Sequence, residues 1–380
     1  MNLFERAMHQ LDQLEIDGWL IPCSEGSDVH SKFMLDLEVH IRHYIYVDRN
    51  GKHKVFTCTM EQPMVEKKLK TMGVDAQVES YSNFEDIISM LKQIITKPKI
   101  ALNFGENVLS REGTGFAEYL PVGEFRALQN IAPDTQFVSA APIIYDLRTI
   151  KTPEDIQDLR ETVKINLEIL EDLPNWVKLG MTENEVKREL EIKYLRNGGI
   201  GFPAIVANNA NAADPHHNGS DKKIEPGVLL IDSGMKPRRM CSDITWTYWI
   251  GGGEPSEAFV NAYQALRYAK DKSYEVIRAG LPMNLPAIRC REALAEKGYD
   301  HEKLYFHSLG HSLGFDVHDI GGGMRAKMPD TYLQQENMII TNEPGLYWVN
   351  EWGVRLEDDI VIKKDGMENL SYIPKDPLVI

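Results

Sequence analysis

Cysteine is scarce and scattered. Cys23, Cys58, Cys241 and Cys290 show no C-x-x-C spacing, so neither a zinc knuckle nor a disulfide framework is indicated, and the four read as buried apolar fillers. Long apolar runs are missing too: no stretch approaches the ~20 apolar residues a membrane helix needs. The first twenty residues, MNLFERAMHQLDQLEIDGWL, mix charges into a helical apolar pattern and lack the basic, apolar and small-residue blocks of a signal peptide. A cytoplasmic location without a membrane partner is the resulting expectation. Basic residues are in deficit, 42 Lys plus Arg against 57 Asp plus Glu for a formal charge of −15, which opposes binding to a polyanion unless a local basic patch exists. The lysines of EKKLK near 66–70 have the look of a solvated helix face, so no nucleic-acid partner is expected. There is no short-period repeat and no low-complexity tract.

What is present is an ordinary globular composition, 43% hydrophobic and 26% charged, over 380 residues, a length that suggests two domains. Up to about Leu147, short apolar runs (GWLIPC, HYIYVD, KHKVFTC, KIALNFG, QFVSAAP) alternate with helical patterns at 60–72, 83–96 and 123–130, the signature of a mixed α/β domain over residues 1–150. Asn50-Gly51 between two of the runs is a strong hairpin signal. A break follows at DLRTIKTPEDI. Thr152, Pro153, Glu154 and Asp155 supply a cap, a first-turn proline and acids for a helix N-terminus. Ile156, Leu159, Val163, Leu167 and Leu170 then recur at helical spacing and open a second domain, 151–380. Thr182 and Glu185 form a second capping signal. Beyond them, strands (PAIVAN, GVLLIDSG, ITWTYWI, NMIITNEPG, GVRLEDDIVI) are interrupted by helices near 256–279 and 286–297, which makes the whole an α+β fold.

Polar residues inside these apolar strands are the informative ones. Asp232 ends the run VLLI, where a lone carboxylate is costly unless paired or metal-bound. Asp243 opens DITWTYWI, Glu343 ends MIITN, and Glu357 precedes DDIVI. For any one of these, a capping or salt-bridged acid is the commoner explanation. The segment HSLGHSLGFDVHD alters that weighing: His307, His311 and His318 fall within twelve residues, and Gly310 and Gly314 let the backbone pass close to a neighbour.

The order IDSG, SDIT, HSLGHSLGFDVHD, NEPGLY, GVRLEDD resembles the proline-peptidase branch of the pita-bread family, which includes aminopeptidase P and proline dipeptidase. The resemblance covers roughly residues 150–380; the first 150 resemble the family's creatinase-type N-terminal domain in general pattern only. It implies a pita-bread catalytic domain behind a smaller mixed domain, a small peptide substrate and a homodimer. Carried over residue by residue, Asp232 corresponds to a ligand of one metal, Asp243 and Glu357 to bridging ligands, and His311 and Glu343 to ligands of the second metal. Four carboxylates and a neutral imidazole also balance two divalent cations, and such a pair, roughly 3.5–4 Å apart, lowers the pKa of a shared water. An oxygen-rich set without thiolate favours Mn²⁺, with Co²⁺ or Zn²⁺ also compatible. By the same resemblance His216, rather than His217, faces the substrate. His307 and His318 donate to the scissile carbonyl. Glu343 also shuttles a proton, and Arg355 orients a ligand carboxylate or meets a substrate carboxylate.

His307 favours the proline branch over methionine aminopeptidases, which normally lack it, and the full ligand set argues against metal-free creatinase and against non-catalytic partner-binding members. Two features depart from the pattern. SDVHSKFMLDLEVH lacks the clear family pattern that often shapes the substrate entrance. Trp246 stands where the family usually has arginine, with Trp249, Trp348 and Trp352 adding aromatic bulk near the motifs. Such residues are more often core than wall; as a wall they would suit proline, or a compact cyclic or cationic ligand. A relative acting on a non-peptide C–N bond, of the ectoine-hydrolase kind, is the alternative this raises.

Overall fold

The computed structural model describes residues 1–110 and 113–380. Two compact units divide the chain, Met1–Leu147 and Arg148–Ile380. The first contains α1 (Leu3–Gln13), β1 (Gly18–Cys23), α2 (Val29–Leu35), β2 (His43–Asp48), β3 (His53–Cys58), α3 (Gln62–Thr71), β4 (Ala76–Tyr81), α4 (Phe84–Ile94), β5 (Lys99–Leu102), α5 (Val122–Ile131) and β6 (Gln136–Ser139), followed in the chain by α6 (Ala141–Thr149). Its sheet has the order β4-β3-β2-β1-β5-β6, antiparallel through β1, β2 and β3 and parallel elsewhere. Asn50-Gly51 joins β2 to β3, with Gly51 at φ 81°, a conformation that costs glycine nothing. Strand β4 escaped the sequence reading because AQVESY has no apolar run; as the sheet edge it is mostly half-buried. QFVSAAP is a strand only as far as Ser139, whose hydroxyl accepts from the Ala141 N–H and starts α6.

The second unit opens with α7 (Pro153–Glu171). Thr152 Oγ1 accepts from Asp155 N and Asp155 Oδ2 accepts from Thr152 N, each at 3.1 Å, and the expected stripe from Ile156 to Leu170 is buried. After α8 (Leu173–Trp176), α9 (Glu183–Arg196) begins at the Thr182–Glu185 capping box. The strands β7 (Ile205–Asn208), β8 (Gly227–Ser233) and β9 (Ile244–Ile250) form an antiparallel sheet. Helices α10 (Glu257–Tyr274), α11 (Leu285–Glu296) and α12 (His301–Leu304) precede the short pair β10 (Gly310–His311) and β11 (Gly323–Met324). The remaining strands are β12 (Ile339–Asn342), β13 (Gly345–Trp348), β14 (Trp352–Arg355), β15 (Asp358–Lys363) and β16 (Gly366–Asn369). They form two antiparallel sheets, β12-β15-β16 and β13-β14.

Two apolar runs read as single strands are each broken in two. NMIITNEPG stops at Asn342, because Pro344 has no N–H to continue the ladder, and resumes at Gly345 in another sheet. GVRLEDDIVI divides at Leu356–Glu357 into β14, paired with β13, and β15, paired with β12. Glu343 and Glu357 occupy these two breaks.

Strand β8 is buried on both faces. Leu229 and Ile231 enter the core cluster that holds α7, while Val228 and Leu230 enter the cluster of α10 and α11. The two-residue period places Asp232 on the second face. Trp246, opposite Ile231 in the register, lies on the first: it is 2% exposed, and its Nε1 donates to the Tyr372 carbonyl at 3.0 Å. The aromatic wall considered for Trp246 is therefore core. Trp246→Ala is expected to cost about 3–5 kcal/mol in urea denaturation followed by circular dichroism, the usual range for a buried large aromatic; a cost below about 1 kcal/mol, as for a surface site, would remove it from the core.

Candidate metal centre

Each acidic side chain is set by its place in a strand. Asp232, on β8, directs Oδ2 to the Arg355 guanidinium, whose Nη2 donates at 2.6 Å, while its Oδ1 is buried with no protein partner. Asp243 immediately precedes β9, and its N–H donates to Asp359 Oδ2 at 3.1 Å. Glu357, at the β14–β15 break, donates its N–H to the Thr245 carbonyl at 3.0 Å and accepts from Thr245 Oγ1 at 2.6 Å. Glu343, at the β12–β13 break, donates its N–H to Leu309 O at 2.7 Å, and its Oε1 accepts from Thr341 Oγ1 at 3.4 Å.

His311 enters this group on β10. Its N–H donates to Thr341 Oγ1 at 3.0 Å, and its Nδ1 donates to Ser312 O at 3.0 Å. A carbonyl can only accept, so Nδ1 carries the proton and Nε2 is left with a free lone pair. That Nε2 lies 3.4 Å from Asp243 Oδ2 and 3.6 Å from Glu343 Oε1. One donor atom each from Asp243, His311 and Glu357 lie within 4.8 Å of one another, and no second such group occurs among the described residues. The close approach relies on Gly310, where a Cβ would sit 2.1 Å from the Thr341 carbonyl oxygen, and on Gly314, where one would sit 2.2 Å from Asp319 Oδ2.

Electrostatics show what the protein alone leaves unbalanced. Burial, then repulsion from Asp232 and other acids, pushes Asp243 well above the ordinary carboxylate range. Burial, then Asp243, Glu343 and Asp232, does the same to Glu357, and Glu343 is raised by burial against the pull of His311 and Arg355. Arg355, 3% exposed, is a cation within the cluster. Burial opposes its charge, but Tyr347, Asp232, Glu357 and Glu343 hold it protonated. It also donates to Thr245 Oγ1 at 3.2 Å, Tyr347 OH at 3.1 Å and Pro215 O at 3.4 Å. A buried carboxylate oxygen without a donor, an imidazole held in the ligating tautomer and clustered acids with raised proton affinity together fit divalent metal ions held by Asp232, Asp243, His311, Glu343 and Glu357.

The other expected residues surround this centre. His318 is exposed, with its ring 4.3 Å from that of His311. His216 is exposed on the loop after β7, and its charge bears on both His307 and His318. His217 is turned away: its Nε2 bonds Glu183 Oε2 at 2.7 Å. His307 is half-buried, its pKa pushed down to about 3 by burial and then Arg355. Nδ1 donates to Ser308 O at 2.8 Å, so Nε2, 2.9 Å from Tyr347 OH, accepts here rather than donates. Trp348 and Trp352 stack on each other at 4.2 Å, and Trp249 packs on Phe259. Sequence reasoning missed Thr245, Thr341, Tyr347 and Asp359. The two threonines had a legible signal, hydroxyls inside apolar strands beside the expected ligands.

A proton affinity raised by folding stabilises the metal-free fold below the unfolded carboxylate pKa, and that stability is lost as pH rises through the folded values. Chelator-stripped protein should therefore show a falling melting temperature from mildly acidic to mildly alkaline pH, with Mn²⁺ restoring it most at the alkaline end, where no protons compete. A metal-free melting temperature that rises with pH over that interval would contradict the clustering of these acids.

Comparison with known proteins agrees with the geometry. Residues 157–364 match the model of metallopeptidase family M24. An uncharacterized peptidase, YqhT, of Bacillus subtilis (strain 168) is 33% identical over 263 residues, 68% of this chain and 72% of its own. The X-Pro aminopeptidase of Thermotoga maritima MSB8 superposes with a TM-score of 0.84 at 26% identity, covering 98% of this chain and 100% of that one. The Xaa-Pro dipeptidase of Bacillus anthracis does so with a TM-score of 0.83 at 26% identity, covering 100% and 99%. The two structural similarities extend through the N-terminal unit, and the family match spans more than half of the chain and every residue of the acidic centre; the chain belongs to metallopeptidase family M24, in the proline-peptidase branch of the pita-bread fold.

Proposed function

We propose that this peptidase hydrolyses Xaa-Pro bonds with two divalent metal ions held by Asp232, Asp243, His311, Glu343 and Glu357. The observation that carries the reading is the gathering of Asp243, Glu343 and Glu357 around the free Nε2 of His311, with Asp232 near enough to act electrostatically on all three acids. Mn²⁺ suits the oxygen-rich donor set, and Co²⁺ or Zn²⁺ is compatible with it. When bound, the metal pair polarises the scissile carbonyl and makes water nucleophilic at neutral pH.

The chain's own side chains do the rest. Arg355 fixes the direction of Asp232, Thr245 that of Glu357, and the Ser312 carbonyl the ring of His311. Glu343 carries a proton from the attacking water to the leaving nitrogen, a task its raised pKa suits. His216 and His318, both exposed beside the centre, contact the substrate around the scissile bond. His307 takes a different part from the carbonyl donor expected of it. It accepts from Tyr347 OH, which in turn accepts from Arg355, so that His307 holds the phenol in place.

The preference for proline follows from the shape of the bond. A peptide bond to proline has no N–H, so a selective pocket recognises the ring and leaves no buried acceptor waiting for a missing hydrogen. Imidazole and aromatic surfaces suit this: His216, His318 and the exposed ring of Phe306, which lies 5.3 Å from the buried ring of Tyr347. The non-peptide alternative drew on Trp246 together with Trp249, Trp348 and Trp352, and of these Trp246 faces the opposite side of its sheet. Metal-loaded protein should cleave Xaa-Pro peptides faster than matched Xaa-Ala peptides and only when the N-terminus is free. Equal rates on the two series, or turnover confined to an ectoine-type amide, would refute the proline reading and leave the metallopeptidase assignment of the fold standing.

A further inference from the structure

Helix α10 contains a buried cation that the chemistry above does not use. Lys270 is 2% exposed and lies among Phe259, Ala262, Tyr263, Leu266 and Ala269 on the core face of the helix. Its ammonium meets three acceptors: the carbonyl of Asn342, the carbonyl of Leu356 at 3.1 Å, and Asp358 Oδ2 at 2.9 Å. Three acceptors match the three N–H donors of a lysine. Asp358 is further fixed by Tyr274 OH and by Ser371 Oγ at 3.2 Å. Ser273 Oγ, one turn along α10, donates to the Lys270 carbonyl at 2.7 Å and accepts from Asn342 Nδ2 at 2.8 Å.

The two carbonyls belong to particular residues. Asn342 immediately precedes Glu343, and Leu356 immediately precedes Glu357. Lys270 thus ties together, through a single nitrogen, the two strand breaks that present these carboxylates. Backbone pairs flank the two breaks, Asn342 with Asp358 and Gly345 with Arg355, and the Leu356 N–H donates to the Pro344 carbonyl at 3.3 Å; Lys270 adds a side-chain tie to the two carbonyls that directly precede the carboxylates. An ion pair serving only to pin α10 to the sheet would need Asp358 alone.

We propose that Lys270 is a positioning residue for the metal centre, setting the separation of Glu343 and Glu357 through the carbonyls of Asn342 and Leu356. The inference rests on the metal reading above. Outer partners that orient ligands are typically worth about 10–100-fold in metal affinity or activity.

The test compares Lys270→Met, which keeps the bulk and removes the donors, with Phe259→Leu, a packing control on the same helix. Both are stripped of metal and titrated with Mn²⁺ alone, and melting temperatures are recorded alongside. Lys270→Met should bind Mn²⁺ about 10–100-fold more weakly than wild type and shift the visible spectrum of the Co²⁺-loaded protein. Phe259→Leu should lower the melting temperature and leave both signals unchanged. Should Lys270→Met fail to fold, Lys270→Gln, which retains an amide donor, is read in the same way and should show a weakened affinity. Wild-type affinity in a folded Lys270 variant, or an affinity loss in both variants that merely tracks melting temperature, overturns the positioning role while the metal site stands. If wild type itself binds no Mn²⁺, the metal reading fails first and this inference with it.

Discussion

The mutual repulsion of buried carboxylates is the constraint on which the rest of this molecule turns. Asp232, Asp243, Glu343 and Glu357 are drawn together in a largely buried site, and Asp359 stands behind them with one oxygen lacking a partner. Burying even one unpaired carboxylate is expensive. A chain that gathers several must supply cations, and Arg355 is the cation it places inside the group. Its guanidinium takes Asp232 and keeps its own charge because the acids around it do. The remaining imbalance is what makes the centre a place for divalent ions, and a polypeptide selected only for stability would have had apolar side chains there.

The architecture serves this convergence by breaking strands rather than by extending them. A continuous strand presents a carboxylate on one face every second residue, which cannot bring acids from several strands toward one point. The breaks at Glu343-Pro344 and Leu356-Glu357 free two carboxylates from that alternation, and the close passage of Gly310 past the Thr341 carbonyl brings His311 to them. Lys270 binds the two breaks from behind. Burial pushes the Asp319 carboxyl up, but Lys151 and Arg148 together hold it below the ordinary carboxylate range. Asp319 in turn accepts the Phe315 and Ile320 N–H groups of the loop that carries His318. Cations behind the ligands and cations behind the loop do the same work, converting repulsion into fixed geometry.

Much of this was legible in the sequence because its signals are local. Thr152 and Thr182 cap their helices as the hydroxyl-to-acid spacing indicates, Asn50-Gly51 turns a hairpin, and an aspartate ending VLLI marks a buried charge. The motif order carried the family and the fold. What stayed hidden depends on partners far apart in the chain. Lys270 lies 72 and 86 residues from the carbonyls it meets, and a lysine in an amphipathic helix reads as solvated face. The division of GVRLEDDIVI between two sheets leaves no trace in its apolar pattern, because both halves are buried. Trp246 read as a departure near the site, yet strand alternation turns it into the opposite core, a matter of register that single-strand patterns do not reveal. The role of His307 depends on a tautomer set by Ser308 and on a phenol forty residues away.

The central claim is that the five residues hold two metal ions, and counting those ions tests it most directly. Chelator-stripped protein titrated with Mn²⁺ under equilibrium dialysis should bind two equivalents per chain, and Asp243→Asn, which weakens one of the proposed ligands, should lose at least one of them. A wild-type chain that takes up no metal, or an Asp243→Asn variant that binds both ions as tightly as wild type, would contradict the account.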